Sequence, residues 1–173
     1  MSESSRLFFA LWPDDITRDK VAALTGHFQE KYGGRAIARE SLHVTLVFLG
    51  ETPNSCLPTL AEIAANVATP SFNLTLHHAG YWGKGIFWLG PEDSPPALLA
   101  LVAALREGLQ EADISFDEKP FVPHMTLLRD AKCRESPGVI MPIEFSVKRF
   151  VLARSVPGSK AVRYEAVREF SLG

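Results

Sequence analysis

Arg6-Leu-Phe-Phe-Ala-Leu-Trp12 is a short, almost unbroken apolar run, the pattern of a buried strand. Pro13-Asp14-Asp15 interrupts it and opens a helix to about Tyr32, striped by Val21, Leu24 and Phe28 and stopped by Gly33-Gly34. Leu42 to Leu49 reads as a central strand bounded by Gly50. A second helix is expected over about Leu57 to Val67, with Leu57, Leu60, Ile63, Ala64 and Val67 on one face. Phe72 to Ala79 alternates, with Phe72, Leu74 and Leu76 opposite Asn73 and Thr75. A turn at Tyr81 to Gly85 then leads to a short strand at Ile86 to Leu89, completing a hairpin. Pro95-Pro96 starts a third helix to about Ala112, carrying Leu98, Leu101, Val102, Leu105 and Leu109 at helical spacing. Strands are expected at His124 to Leu128, about Phe145 to Ala153, and Arg163 to Phe170, with Ser136 to Pro142 as a loop. Strands and helices mix without regular βαβ alternation, which favours an α+β fold with antiparallel sheets.

The 173 residues suffice for one core, and 46% apolar with 22% charged residues is ordinary for a soluble globular chain. A net charge of −2 argues against a protein that grips long duplex nucleic acid, but leaves room for a local basic patch around an RNA end or a nucleotide. Met1 to Arg6 followed by the brief run Leu7 to Trp12 lacks the parts of a secretory signal, and no stretch approaches a membrane span. The expectation is a cytoplasmic protein with no membrane partner, in which Cys56 and Cys133 are reduced thiols.

The chemistry-bearing feature is a repeat. Ser41-Leu42-His43-Val44-Thr45-Leu46 is echoed 81 positions later by Val122-Pro123-His124-Met125-Thr126-Leu127. Residues i and i+2 of a strand share a face, so each histidine shares one with its own threonine. One histidine on an apolar strand is usually just packed, but the two copies hold two of only five histidines in matching contexts. If the two strands lie side by side, His43, Thr45, His124 and Thr126 meet at one cleft. Displacement at phosphorus needs a base for the attacking oxygen and an acid for the leaving one, and two imidazoles supply both near neutral pH without a metal or cofactor. The threonine hydroxyls can donate to the non-bridging oxygens. Chemistry alone does not say which histidine is acid and which is base.

Leu42-His43-Val44-Thr45-Leu46-Val47-Phe48-Leu49-Gly50 and Pro123-His124-Met125-Thr126-Leu127-Leu128-Arg129-Asp130 resemble the paired signatures of the 2H phosphoesterases. Within that superfamily the chain is similar to the bacterial RNA 2′,3′-cyclic phosphodiesterases, also called 2′-5′ RNA ligases. The likeness runs from Arg6 to Tyr164. It implies one domain over 1–173 made of two similar lobes, with two antiparallel sheets related by a pseudo-twofold, a central cleft and helices outside. It also implies metal-independent hydrolysis of terminal 2′,3′-cyclic phosphates, on RNA ends or small cyclic nucleotides, to 2′-phosphomonoesters, with reversible 2′-5′ ligation. His43 is then the acid for O3′, His124 the base for water, Arg129 a phosphate ligand and Phe48 a nucleobase contact. Tyr164 and Arg163 match a position near the cleft.

Strict alternation puts Arg129 opposite His124, and Phe48 opposite His43, so both rest on the resemblance unless twist or a bulge changes the parity. Arg129 has a competing reading as a surface ion pair with Asp130 or Glu135, and Phe48 one as a core aromatic. His77 and His78 are adjacent on a strand and expected on opposite faces, His78 packed and His77 solvated, so no metal site is expected. His27 is expected to face solvent or cap carbonyls, and Gly80, Gly83 and Gly85 to shape the hairpin turn. Two alternatives stand beside the main reading: a non-catalytic nucleotide- or RNA-end-binding module, and a phosphodiesterase for 2′-5′ oligoadenylate or another cyclic nucleotide. A monomer is expected.

Overall fold

The computed structural model describes residues 3–132, 134–158 and 161–173; Cys133 lies outside them, and Cys56 is half-buried with a free thiol. The chain runs β1 (Ser4–Leu11), α1 (Asp15–Tyr32), β2 (Arg35–Ala36), β3 (Val44–Pro53), α2 (Leu57–Ala65), β4 (Phe72–Trp82), β5 (Ile86–Gly90), α3 (Pro96–Glu111), β6 (Met125–Arg129), β7 (Gly138–Val147), β8 (Arg149–Val156) and β9 (Arg163–Ser171). Local chemistry sets the helix ends. The Asp14 carboxylate accepts from Thr17 N–H at 2.7 Å, and Gly33, at φ 69°, closes α1 by donating to the Gln29 carbonyl. Proline stands in the first turn of both α2 and α3, where its missing N–H costs no helical bond.

Alternation in β1 separates two environments. Leu7, Phe9 and Leu11 belong to the main core, together with Val21, Phe28 and Tyr32 of α1, Leu60 of α2 and the leucines of α3. Phe8 and Ala10 instead pack with Val151, Ala153, Trp12, Phe48 and Tyr164 on the other side of the sheet. All three helices therefore bury their stripes in one layer, and the opposite face of the sheet carries the smaller cluster around Phe8. Each large side chain buried in that layer contributes roughly 1.5–3 kcal/mol relative to exposure.

Two expectations change. The strands form one nine-stranded antiparallel sheet among the described residues, in the order β7-β4-β5-β6-β3-β1-β8-β9 with β2 beside β6, rather than two sheets. β3 meets β6 through the single pair Val44↔Met125, while β2 pairs with β6 further along, at Leu128 and Arg129. This junction covers two strands that would otherwise present open edges. Second, Gly138–Val147 is a strand, in place of the loop expected up to Pro142, and the apolar run from Phe145 to Ala153 is broken at Lys148. β7 pairs with β4, whereas β8 pairs with β1 and β9, so one continuous-looking pattern serves opposite ends of the sheet. No helix among the described residues is long and apolar enough to cross a membrane.

Candidate active site

The two motif strands are neighbours. Each begins one residue after its histidine, and Val44 and Met125, both fully buried, form the bridge between them. Continuing that antiparallel register by one residue sets His43 across from Thr126, and Thr45 across from His124. All four line one cleft of about 220 Å³ on the face away from the helices.

The backbone fixes both imidazoles. His43 Nδ1 is 2.7 Å from the Ser41 carbonyl and His124 Nδ1 is 2.9 Å from the Val122 carbonyl, two residues upstream in each case. A carbonyl oxygen only accepts, so the neutral rings carry hydrogen on Nδ1 and leave Nε2 as the basic atom. The Thr45 hydroxyl lies 3.0 Å from His43 Nε2 and donates to it in that state. Phe8, Trp12 and Tyr164 enclose the His43 ring, with Trp12 stacked at 19° and Tyr164 edge-on at 4.9 Å. Burial is the main reason its pKa is lowered to about 4, and the nearby His124, Arg129 and Arg18 push the same way against the Ser41 hydrogen bond. His124, edge-on to Trp82 at 4.5 Å, is also lowered, first by burial and then by Arg129.

Phe48 and Arg129 line the same cleft, against simple alternation. In β3 the register against β1 passes from Phe9↔Val47 to Ala10↔Thr45, skipping Leu46. In β6 the register against β5 passes from Phe87↔Leu128 to Trp88↔Thr126, skipping Leu127. Each strand thus carries a one-residue bulge at the matching place, with Leu46-Val47 and Leu127-Leu128 both buried toward the helices. The bulge reverses parity and returns the next side chain to the cleft.

Arg129 has no carboxylate partner among the described residues, because Asp130 pairs with Arg35 at 2.7 Å and Glu135 with Lys31 at 3.6 Å. Phe48 is half-buried, with the Arg6 guanidinium 4.9 Å from its ring centroid. Tyr164 lines the cleft, whereas Arg163 is exposed and lines neither this cleft nor the larger groove that opens from it. Sequence reasoning missed Phe8, Trp12, Trp82 and Arg6. Strand parity offered a signal for two of them, since Phe8, Ala10 and Trp12 share one face of the first strand.

A family model described as the 2′-5′ RNA ligase superfamily matches residues 12–157. The chain belongs to this superfamily. Within the 2′-5′ RNA ligase superfamily its full-length relatives are RNA 2′,3′-cyclic phosphodiesterases. That of Escherichia coli is 34% identical, with 99% of each chain aligned. That of Thermus thermophilus is 32% identical over 96% of this chain and 90% of its own. The fold agrees: the crystal structure of E. coli LigT complexed with 3′-AMP superposes with a TM-score of 0.85 at 32% identity, covering 99% of both chains. The same protein complexed with ATP gives 0.84, over 98% of this chain and 99% of its own.

Proposed function

We propose that the chain hydrolyses RNA 2′,3′-cyclic phosphate ends to 2′-phosphomonoesters by general acid–base catalysis between His124 and His43, without a metal ion. The observation that carries this reading is the pair of imidazoles on one cleft, each tied through Nδ1 to its own backbone and each accompanied by a motif threonine. The relatives' activity and the nucleotides bound to E. coli LigT support the substrate class.

In the proposed reaction His124 Nε2 takes a proton from water as its oxygen attacks phosphorus. The P–O3′ bond breaks and His43, protonated at Nε2, gives its proton to O3′. The protons then sit on the product 3′-hydroxyl and on His124, and the phosphate remains on O2′. Thr45 and Thr126 donate to the non-bridging oxygens, and Arg129 balances their charge. Phe48 offers an aromatic surface to the terminal base. Burial disfavours the charged form of both histidines in the free site, and the anionic phosphate favours protonation of His43 on binding. With the 5′-hydroxyl of a second strand in place of water, the same attack expels O3′ and leaves a 2′-5′ linkage; in the reverse direction O3′ attacks phosphorus, O5′ leaves with the proton, and the linkage opens. Every residue invoked comes from one chain of two similar halves, so a monomer suffices.

Phosphorus NMR of a 2′,3′-cyclic nucleotide, in the presence of EDTA, tests the activity and its regiochemistry together. A 2′-phosphate product is expected, lost on His43→Ala and on His124→Ala. Nucleotide binding with no turnover of any cyclic substrate would turn the reading to a binding module.

A further inference from the structure

A second group of ligating side chains lies outside the cleft. β4 pairs with β7 as Leu76↔Ile143 and next as His78↔Val139, so the ladder slips at His77. Strict alternation sends His77 and His78 to opposite faces. With the slip, their rings lie 5.6 Å apart, and both residues are half-buried. His78 also pairs with Gly90 at the end of β5, and Glu92 follows in the connection to α3. One ring nitrogen of each histidine and a Glu92 oxygen all lie within 4.8 Å of one another.

The local chemistry asks for a cation. His77 Nδ1 is 3.2 Å from the Thr75 carbonyl, which holds hydrogen on Nδ1 and leaves the lone pair on Nε2. A backbone carbonyl behind the distal nitrogen is the usual support of a metal-bound histidine. That Nε2 faces Glu92 Oε2 at 3.3 Å, two acceptors meeting without a hydrogen between them while the ring is neutral. Ligands held 2.0–2.1 Å from a tetrahedral zinc ion are themselves spaced roughly 3.3–3.4 Å apart. His78 Nδ1 is buried with no hydrogen-bond partner among the described residues. A proton shared by His77 and Glu92 would satisfy that pair alone, whereas a metal ion can engage one ring nitrogen of each histidine together with the carboxylate.

We propose that His77, His78 and Glu92 form a binding site for a divalent cation of the zinc class, with water as a fourth ligand. Two imidazoles and one carboxylate favour such an ion over magnesium or calcium, which prefer all-oxygen sets. The Glu92 side chain is 63% exposed and free to swing the remaining distance. The bound ion ties β4 to the β5–α3 connection. None of the three residues lines the catalytic cleft, so the site is separate from the cyclic-phosphate chemistry and does not depend on it.

The test uses the full, untagged chain, stripped with chelator and titrated with Zn²⁺ alone, followed by calorimetry and thermal unfolding. One saturable site per chain and a Tm that rises with zinc are expected. Binding should survive His43→Ala and His124→Ala, and weaken in His78→Gln and in Glu92→Gln by at least the roughly 10–100-fold that loss of an outer partner of a ligand brings. If His78→Gln fails to fold, the exposed Glu92→Gln decides. The proposal is overturned if no saturable zinc binding occurs, or if either cleft variant abolishes binding that Glu92→Gln leaves intact.

Discussion

Phe48 and Arg129 occupy the same position in two copies of one motif: each follows its histidine by five residues, and each is returned to the cleft by one slipped residue in its strand. The two motif strands therefore deliver an aromatic ring from β3 and a guanidinium from β6. The two should fail differently. Arg129→Ala removes a charge-assisted phosphate contact and is expected to lower kcat by about 10²-fold, with partial recovery in Arg129→Lys. Phe48→Ala should instead raise KM by about tenfold or more at nearly unchanged kcat, as loss of base stacking does. Steady-state kinetics on a 2′,3′-cyclic dinucleotide separate the two, and equal losses in kcat from both would contradict this division.

The threonines are expected to act through their hydroxyls alone. Thr126→Val keeps the β-branched shape and removes the donor, so kcat should drop by about 10²-fold while Thr126→Ser retains most activity. Thr45→Val removes in addition the hydroxyl 3.0 Å from His43 Nε2, so its pH profile should move as well as its rate. A Thr126→Ser variant as inactive as Thr126→Val would point to packing rather than hydrogen bonding.

The histidine environments set the pH dependence. His43 is lowered to about 4 and His124 lies below 6.5, in both cases chiefly through burial. Since kcat/KM follows the free enzyme, its alkaline limb should fall below pH 6.5, whereas the kcat profile should lie at higher pH because bound phosphate favours the protonated rings. A kcat/KM optimum above pH 7 would contradict the burial argument.

Stability responds to the same groups. A histidine at about 4 when folded and 6.5 when unfolded takes up a proton on unfolding between those values, so the contribution is complete above pH 6.5 and is lost as pH falls toward 4. His43→Asn should accordingly flatten the decline of stability from pH 7 to pH 4. Urea melts at both pH values measure it, and a decline as steep as that of the parent would exclude His43 as its source.

Gly85 guards the end of β6. Its φ is 76°, and a Cβ built there would fall 2.6 Å from Asp130 Cα, itself at φ 55°, next to Arg129. Gly85→Ala should cost about 1–3 kcal/mol from the left-handed backbone and the clash together. It should also lower activity through the displaced Arg129, which thermal unfolding and turnover read separately.

Much of this protein is local and therefore legible in its residues. Asp14 and Gly33 bracket α1, the α3 leucines fall on the buried face, and the period of two puts each motif histidine on the face of its threonine. Periodicity belongs to a single segment, and so do caps and turns. The bulges at Leu46 and Leu127 do not, because they exist only relative to β1 and β5; so alternation alone sends Phe48 and Arg129 away from the site that they line. The slip at His77 is hidden from the sequence for the same reason. Joining β3 to β6 in one sheet through Val44↔Met125, and desolvating His43 between Phe8, Trp12 and Tyr164, likewise depends on which distant strands become neighbours. The sequence determined the paired histidines and the threonines two residues on, while register and burial, which are properties of strand pairs, decided what surrounds them.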